Sequence, residues 1–151
     1  MAADPGRIGV VVATHGKLGE ELLRVTRYIL GKELDTFRAV AIPFMDEMRP
    51  APTGERPFAD RRERLRAALL TAVMAVDRGD GVLILTDLLG GTSSNVAQEV
   101  LVGRKGVVVA GVNLPMLLKA ASLDCVPVAA AAEELLQRSR NAIQLLPEKT
   151  G

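Results

Sequence analysis

The apolar positions of this chain fall into two periods. Residues 8–16 read IGVVVATHG, an unbroken apolar run rich in valine that stops at His15 and is closed by Gly16. A short run that is apolar at every position, rather than at alternate ones, predicts a strand buried on both faces, as in a parallel sheet. Leu18, Leu22, Val25, Ile29 and Leu30 then recur at helical spacing with charged residues between them, and Gly31 closes that helix. Residues 37–42 (FRAVAI) form a second strand ended by Pro43, and residues 44–58, with Pro50, Pro52, Gly54 and Pro57, read as a long mobile loop. An amphipathic helix is expected over 59–78, with Leu65, Leu69, Ala72, Val73 and Val76 on its inner face and an arginine-rich solvated face opposite.

Gly79-Asp80-Gly81 turns the chain into a third buried strand, residues 82–86 (VLILT). Asp87 ends it, LLGGTSSN follows, and a short helix is expected over 94–102. Residues 106–110 (GVVVA) make a fourth strand, Asn113-Leu114-Pro115 opens the next helix, and an alanine-rich helix runs over 126–141. Residues 142–146 (AIQLL) are a short apolar segment of their own. Residues 1–7 are read as a flexible tail, 8–146 as a single domain, and 147–151 as a C-terminal tail.

Strands alternating with helices imply right-handed crossovers and an α/β fold, an open parallel sheet with helices on both faces. The expected strand order is 2-1-3-4. In that order the connections leave strands 1 and 3 in opposite directions and open a crevice at their carboxyl ends, where such sheets bind ligands. His15 follows strand 1 and Asp87 follows strand 3. The topology therefore makes neighbours of two residues far apart in the chain.

Composition narrows the classes. At 151 residues the chain is sized for one domain. Three Phe, one Tyr and no Trp leave little for a base-stacking surface, and a net charge of +1 carries no general attraction to polyanions, so no nucleic-acid partner is expected. One cysteine, Cys125, forbids an internal disulfide. With no secretory signal and no apolar run long enough to span a bilayer, a cytoplasmic protein without membrane insertion is expected.

The chemistry lies in the crevice. A carboxylate accepting one N–H of an imidazole fixes its tautomer, aims the other nitrogen outward, and balances charge on the ring when that nitrogen attacks an electrophile. Gly90 and Gly91 permit close backbone approach, and Thr92, Ser93 and Ser94 supply hydroxyls before a helix N-terminus, whose N–H groups and dipole favour an anion. Thr14 and Gly16, flanking His15, complete the candidate phosphate-binding positions. A nucleophilic imidazole facing an anion cradle points to phosphoryl transfer onto histidine. Taken singly, each feature has a plainer role: a capped histidine, an aspartate closing a turn, a Gly-Ser turn. No metal site is expected from one His, one Cys and scattered carboxylates, and no cofactor is implied.

VVATHGKLGEELL, VLILTDLLGGTSSNVA and VVAGVNLPMLLKA together resemble the three signature blocks of the mannose-type IIA component of the bacterial sugar phosphotransferase system, with the same order and spacing over residues 8–146. The resemblance implies that His15 is phosphorylated by phospho-HPr, that Asp87 is its hydrogen-bonding partner, and that the GGTSSN turn surrounds the phosphoryl group. It implies transfer onward to a IIB component. It also implies a homodimer built by exchange of an antiparallel C-terminal edge strand, for which residues 142–146 are the matching segment.

Ser93 stands where proline is usual in that family and Leu89 where an aromatic is common, so a less rigid turn is expected. The 44–58 loop is longer than the family's second connection. Because the chain ends soon after residue 146, no fused IIB domain is expected. Two other roles fit the same residues: the phosphocarrier subunit of a dihydroxyacetone kinase, and a regulatory module that senses metabolic state through its own phosphorylation. A hydrolase is disfavoured by the lack of a second acid–base pair.

Overall fold

A computed structural model describes residues 6–43 and 57–148. Its elements run β1 (Gly9–His15), α1 (Leu18–Leu30), β2 (Phe37–Ile42), α2 (Pro57–Val76), β3 (Val82–Thr86), α3 (Gly91–Val100), β4 (Gly106–Ala110), α4 (Leu114–Ala120) and α5 (Val128–Asn141). The four strands form one parallel sheet in the order β2-β1-β3-β4, as the sequence predicts. Ala13 lies opposite Thr86 and His15 opposite Ile42, so β1 projects two residues beyond its pairing with β3.

The central strands β1 and β3 are apolar along most of their length because each feeds two cores. Val10 and Val12 of β1, Leu83 and Leu85 of β3, and Val109 of β4 pack with Leu23 of α1, Met116 and Leu117 of α4, and Ala131 and Leu135 of α5. Val11, Ala13, Val82 and Ile84 point the other way, onto Leu65, Leu69, Val73 and Val76 of α2 and Val96, Ala97 and Val100 of α3. The strand's period of two is thus hidden in the sequence: both phases are buried. Leu69, Ile84, Leu85 and Leu135 are entirely enclosed, and each contributes about 1.5–3 kcal/mol by leaving water.

The placement of helices α1, α4 and α5 on one face and α2 and α3 on the other creates the crevice between β1 and β3. α1 lies close over β1: a Cβ added at Gly19 would stand 3.0 Å from Thr14 Oγ1 and 3.1 Å from the Val12 carbonyl oxygen. The chain that leaves β1 at His15 is therefore folded tightly back onto the strand.

Several boundaries differ from the sequence reading. α2 begins at Pro57, so the last two residues of the expected 44–58 loop are helical, with proline in the first turn where its missing N–H costs nothing. The rest of that loop, 44–56, lies outside the described residues. The last two residues of the expected N-terminal tail are tied down: Gly6 N–H donates to Asp80 at 3.1 Å, and Arg7 forms an antiparallel bridge with Asp124. Residues 142–148 form no strand within this chain. An edge strand needs a partner's hydrogen-bonding groups, and the local pattern AIQLL does not identify one.

The most consequential shift is at α3. It starts at Gly91, three residues before the expected start, so Thr92 and Ser93 join Ser94 in its first turns rather than standing in a loop before it. Gly90 (φ 84°) and Gly91 (φ 78°) make this possible, since both occupy backbone conformations that side-chain-bearing residues rarely adopt.

Candidate functional site

β1 delivers His15 and β3 delivers Asp87 to adjacent positions at the carboxyl edge of the sheet. Two contacts join them. The His15 main-chain N–H donates to Asp87 Oδ2 at 2.9 Å, and ring Nδ1 lies 3.0 Å from Oδ2 and 3.2 Å from Oδ1. The His15 side chain keeps 37% exposure while that of Asp87 keeps 13%. The carboxylate thus forms the floor and the imidazole faces outward. With Nδ1–H donated to the carboxylate, the ring lone pair lies on Nε2.

Partial burial pushes the Asp87 pKa up. The His15 backbone N–H, the His15 ring and the Leu88 N–H together outweigh that, and the net shift is downward. Asp87 is accordingly an anion at neutral pH, as a group must be if it is to stabilise positive charge on the ring.

The third part is the turn between Asp87 and α3. Leu88 N–H donates to Asp87 Oδ1 at 3.0 Å. Leu88 and Leu89 are exposed, 61% and 90%. Gly90 caps α3 with no side-chain hydrogen bond, and the first turn holds no acidic residue. That helix end keeps its outward N–H groups and partial positive charge for an anion. Thr92 is exposed on it.

Not every candidate phosphate position faces this space. Thr14 is fully buried, and its hydroxyl accepts the Gly19 N–H at 2.7 Å, capping α1. Gly16 N–H donates to the Ile42 carbonyl at 3.0 Å, extending the β1–β2 ladder. Ser93 and Ser94 are 7% and 9% exposed, and the Ser94 hydroxyl donates to the carbonyls of Leu88 and Gly90 at 3.3 and 3.1 Å. The Thr14 hydroxyl, the Gly16 N–H and the Ser94 hydroxyl each have a backbone partner. Gly90, Gly91 and Thr92 remain at the rim.

Two contributors escaped the sequence reading. The main-chain contact from His15 to Asp87 has no sequence signal at all. Thr86, whose hydroxyl donates to the Leu88 carbonyl at 3.1 Å, did have one. It is the one polar residue in a fully buried strand, and a buried hydroxyl calls for a partner. Among the described residues no cluster of His, Cys, Asp and Glu could hold a metal ion, and no helix is long and apolar enough to cross a membrane.

Comparison with known proteins places this geometry. The mannose-specific EIIAB component of the phosphotransferase system of Escherichia coli is 28% identical over 113 residues, covering 74% of this chain but only 30% of that protein. The mannose/sorbose-specific IIA subunit from Enterococcus faecalis superposes with a TM-score of 0.74 at 28% identity, covering 95% of this chain and 99% of that one. The IIA protein associated with the fucose utilization operon of Streptococcus pneumoniae shares the fold, with a TM-score of 0.68 at 22% identity and 96% of each chain covered. Residues 9–139 match the family described as PTS system fructose IIA component, a span that takes in every strand, His15, Asp87 and the turn into α3. The chain belongs to this family, the mannose-type IIA components of the sugar phosphotransferase system.

Proposed function

We propose that the protein is a phosphocarrier in which Nε2 of His15 accepts a phosphoryl group from phospho-HPr and passes it to a IIB component. The observation that carries this reading is the His15–Asp87 pair: Nδ1 lies 3.0 Å from a carboxylate while the ring keeps its exposure at the sheet edge. In the transfer, the donor's N–P bond breaks as the bond to Nε2 forms. The Nδ1 proton stays on the Asp87 hydrogen bond, which balances the charge arising on the ring. The phosphoryl oxygens are met by the N–H groups of Gly91 and Thr92 and by the Thr92 hydroxyl at the α3 N-terminus. Positioning and charge neutralisation are the whole of the protein's contribution, since the donor already carries an activated phosphoryl group.

Both partners must approach over Leu88 and Leu89, whose exposure beside the site supplies an apolar contact surface. A IIB acceptor is supported by the E. coli relative, whose name joins an A and a B component in one chain. The homodimer by strand exchange is supported by two features. Among the described residues β4 pairs only with β3, leaving its outer edge open, and Ile143, Leu145 and Leu146 are 78%, 99% and 89% exposed.

Incubation with phosphoenolpyruvate, enzyme I and HPr tests the central claim. The protein should acquire an acid-labile phosphoryl group, and His15→Ala should not. A label that survives in His15→Ala removes His15 from the reaction. Transfer from the labelled protein to a dihydroxyacetone kinase, and not to a IIB protein, would reassign the acceptor.

A further inference from the structure

We propose that Ser94 and Thr86 are positioning residues for phosphoryl transfer, acting through Leu88 to hold the Asp87 carboxylate on His15. The inference rests on the phosphocarrier reading and adds to it two residues that do not touch the phosphoryl group.

Leu88 is held at both ends of its backbone. Its N–H donates to Asp87 Oδ1 at 3.0 Å, and its carbonyl receives the Thr86 hydroxyl at 3.1 Å and the Ser94 hydroxyl at 3.3 Å. Asp87 Oδ2 accepts the His15 N–H, and ring Nδ1 lies against both carboxylate oxygens, 3.0 Å from Oδ2 and 3.2 Å from Oδ1. The carboxylate is therefore gripped between two residues, and one of them, Leu88, is anchored by hydroxyls from the end of β3 and from α3. Thr86 is wholly buried and Ser94 nearly so, so neither hydroxyl has bulk water as an alternative partner.

A serine in a helix commonly donates to the carbonyl four residues back, and the contact from Ser94 to Gly90 at 3.1 Å is that bond. It gives no reason for the second contact, six residues back, to Leu88. The single Ser94 proton is shared between the two carbonyls and ties the first turns of α3 to the loop that precedes it. Leu88 is more than half exposed and its side chain packs little, so these bonds, rather than packing, fix the turn. Two glycines follow it, and a turn bearing Gly90 and Gly91 without such ties would be free to swing Asp87 away from the imidazole.

The test compares Ser94→Ala, Thr86→Val and Thr86→Ser, each first shown to unfold cooperatively. Initial rates of labelling by phospho-HPr are measured, together with the ring nitrogen chemical shifts of His15 in the unphosphorylated protein, which report its tautomer. Loss of one hydrogen bond of ordinary strength corresponds to about a fivefold fall in rate. Ser94→Ala and Thr86→Val should each slow labelling by about that factor and move the ring shifts toward a mixed tautomer population. Thr86→Ser, which keeps the hydroxyl, should match wild type in both. The inference is overturned if Ser94→Ala and Thr86→Val label at the wild-type rate, if they slow while the ring shifts stay unchanged, or if Thr86→Ser is as slow as Thr86→Val. A wild-type protein that takes no label would defeat the phosphocarrier reading itself, and this inference with it. A labelled wild type with indifferent variants would defeat this inference alone.

Discussion

Asp87 grips His15 twice, through the main-chain N–H at 2.9 Å and through ring Nδ1 at 3.0 Å. The first contact fixes where β1 ends relative to β3, and the second fixes how the ring stands on that end. One carboxylate thus holds the place of the imidazole and favours the tautomer that carries its proton on Nδ1. These same contacts hold its pKa below the ordinary carboxylate value, so the charged form is the one they favour.

Asp87→Asn keeps the size of the side chain and removes its charge. Its amide can donate to Nδ1 and so favour the wrong tautomer. Loss of a charge-assisted hydrogen bond corresponds to about a 10- to 100-fold fall in the rate of labelling by phospho-HPr. The same substitution has a pH signature in stability. Asp87 binds its proton less tightly in the folded protein than in the unfolded chain, whose ordinary value is 3.8. Its contribution is therefore complete above that value and lost as pH falls through the lower folded one. In urea titrations from about pH 5 downward, wild type should lose its advantage over Asp87→Asn. A constant difference across that range would contradict it.

Gly19→Ala should destabilise the protein by about 1–3 kcal/mol, because the new methyl group forces α1 away from β1. The atoms it meets are Thr14 Oγ1 at 3.0 Å, on a fully buried side chain, and the backbone carbonyl oxygen of Val12 at 3.1 Å. Urea unfolding gives the stability. Chemical shifts of His15, four residues away, should move with it because the capping bond from Gly19 N–H to Thr14 must shift.

Leu89→Asp should raise the KM for phospho-HPr with little change in kcat. Leu89 is 90% exposed beside the site and takes no part in the hydrogen bonds that hold Asp87. Placing a charge there removes apolar contact with an incoming protein without disturbing the chemistry. An unaltered KM would move the docking surface elsewhere.

Removal of residues 142–151 should convert a dimer to a monomer in sedimentation while leaving a cooperatively folded domain. The segment lies after α5 and carries Ile143, Leu145 and Leu146 in exposed positions. Leu145→Asp with Leu146→Asp should act in the same direction. A full-length protein that sediments as a monomer would rule out strand exchange.

How much of this was legible in advance differs by element. The runs at 8–16 and 82–86 announce doubly buried strands, alternation and handedness give the parallel sheet, and the order expected for four such strands makes the meeting of His15 and Asp87 foreseeable. Pattern alone could not show which hydroxyls face solvent. Thr14, Ser93 and Ser94 look alike beside Thr92 in a list of small polar residues, yet only Thr92 stands exposed on the rim. Glycine and serine read as loop in the sequence, whereas positive φ at Gly90 and Gly91 starts α3 at once.

The sequence by itself determined the layers, the strand order and the pairing of one imidazole with one carboxylate, because hydrophobic period and chain handedness are local properties with global consequences. Tertiary structure alone decided which polar groups remain for a ligand. An N–H or a hydroxyl proton already given to a backbone carbonyl is not free for a second acceptor, and the bonds from Gly16 to Ile42 and from Ser94 to Leu88 join groups that meet only once the chain has folded.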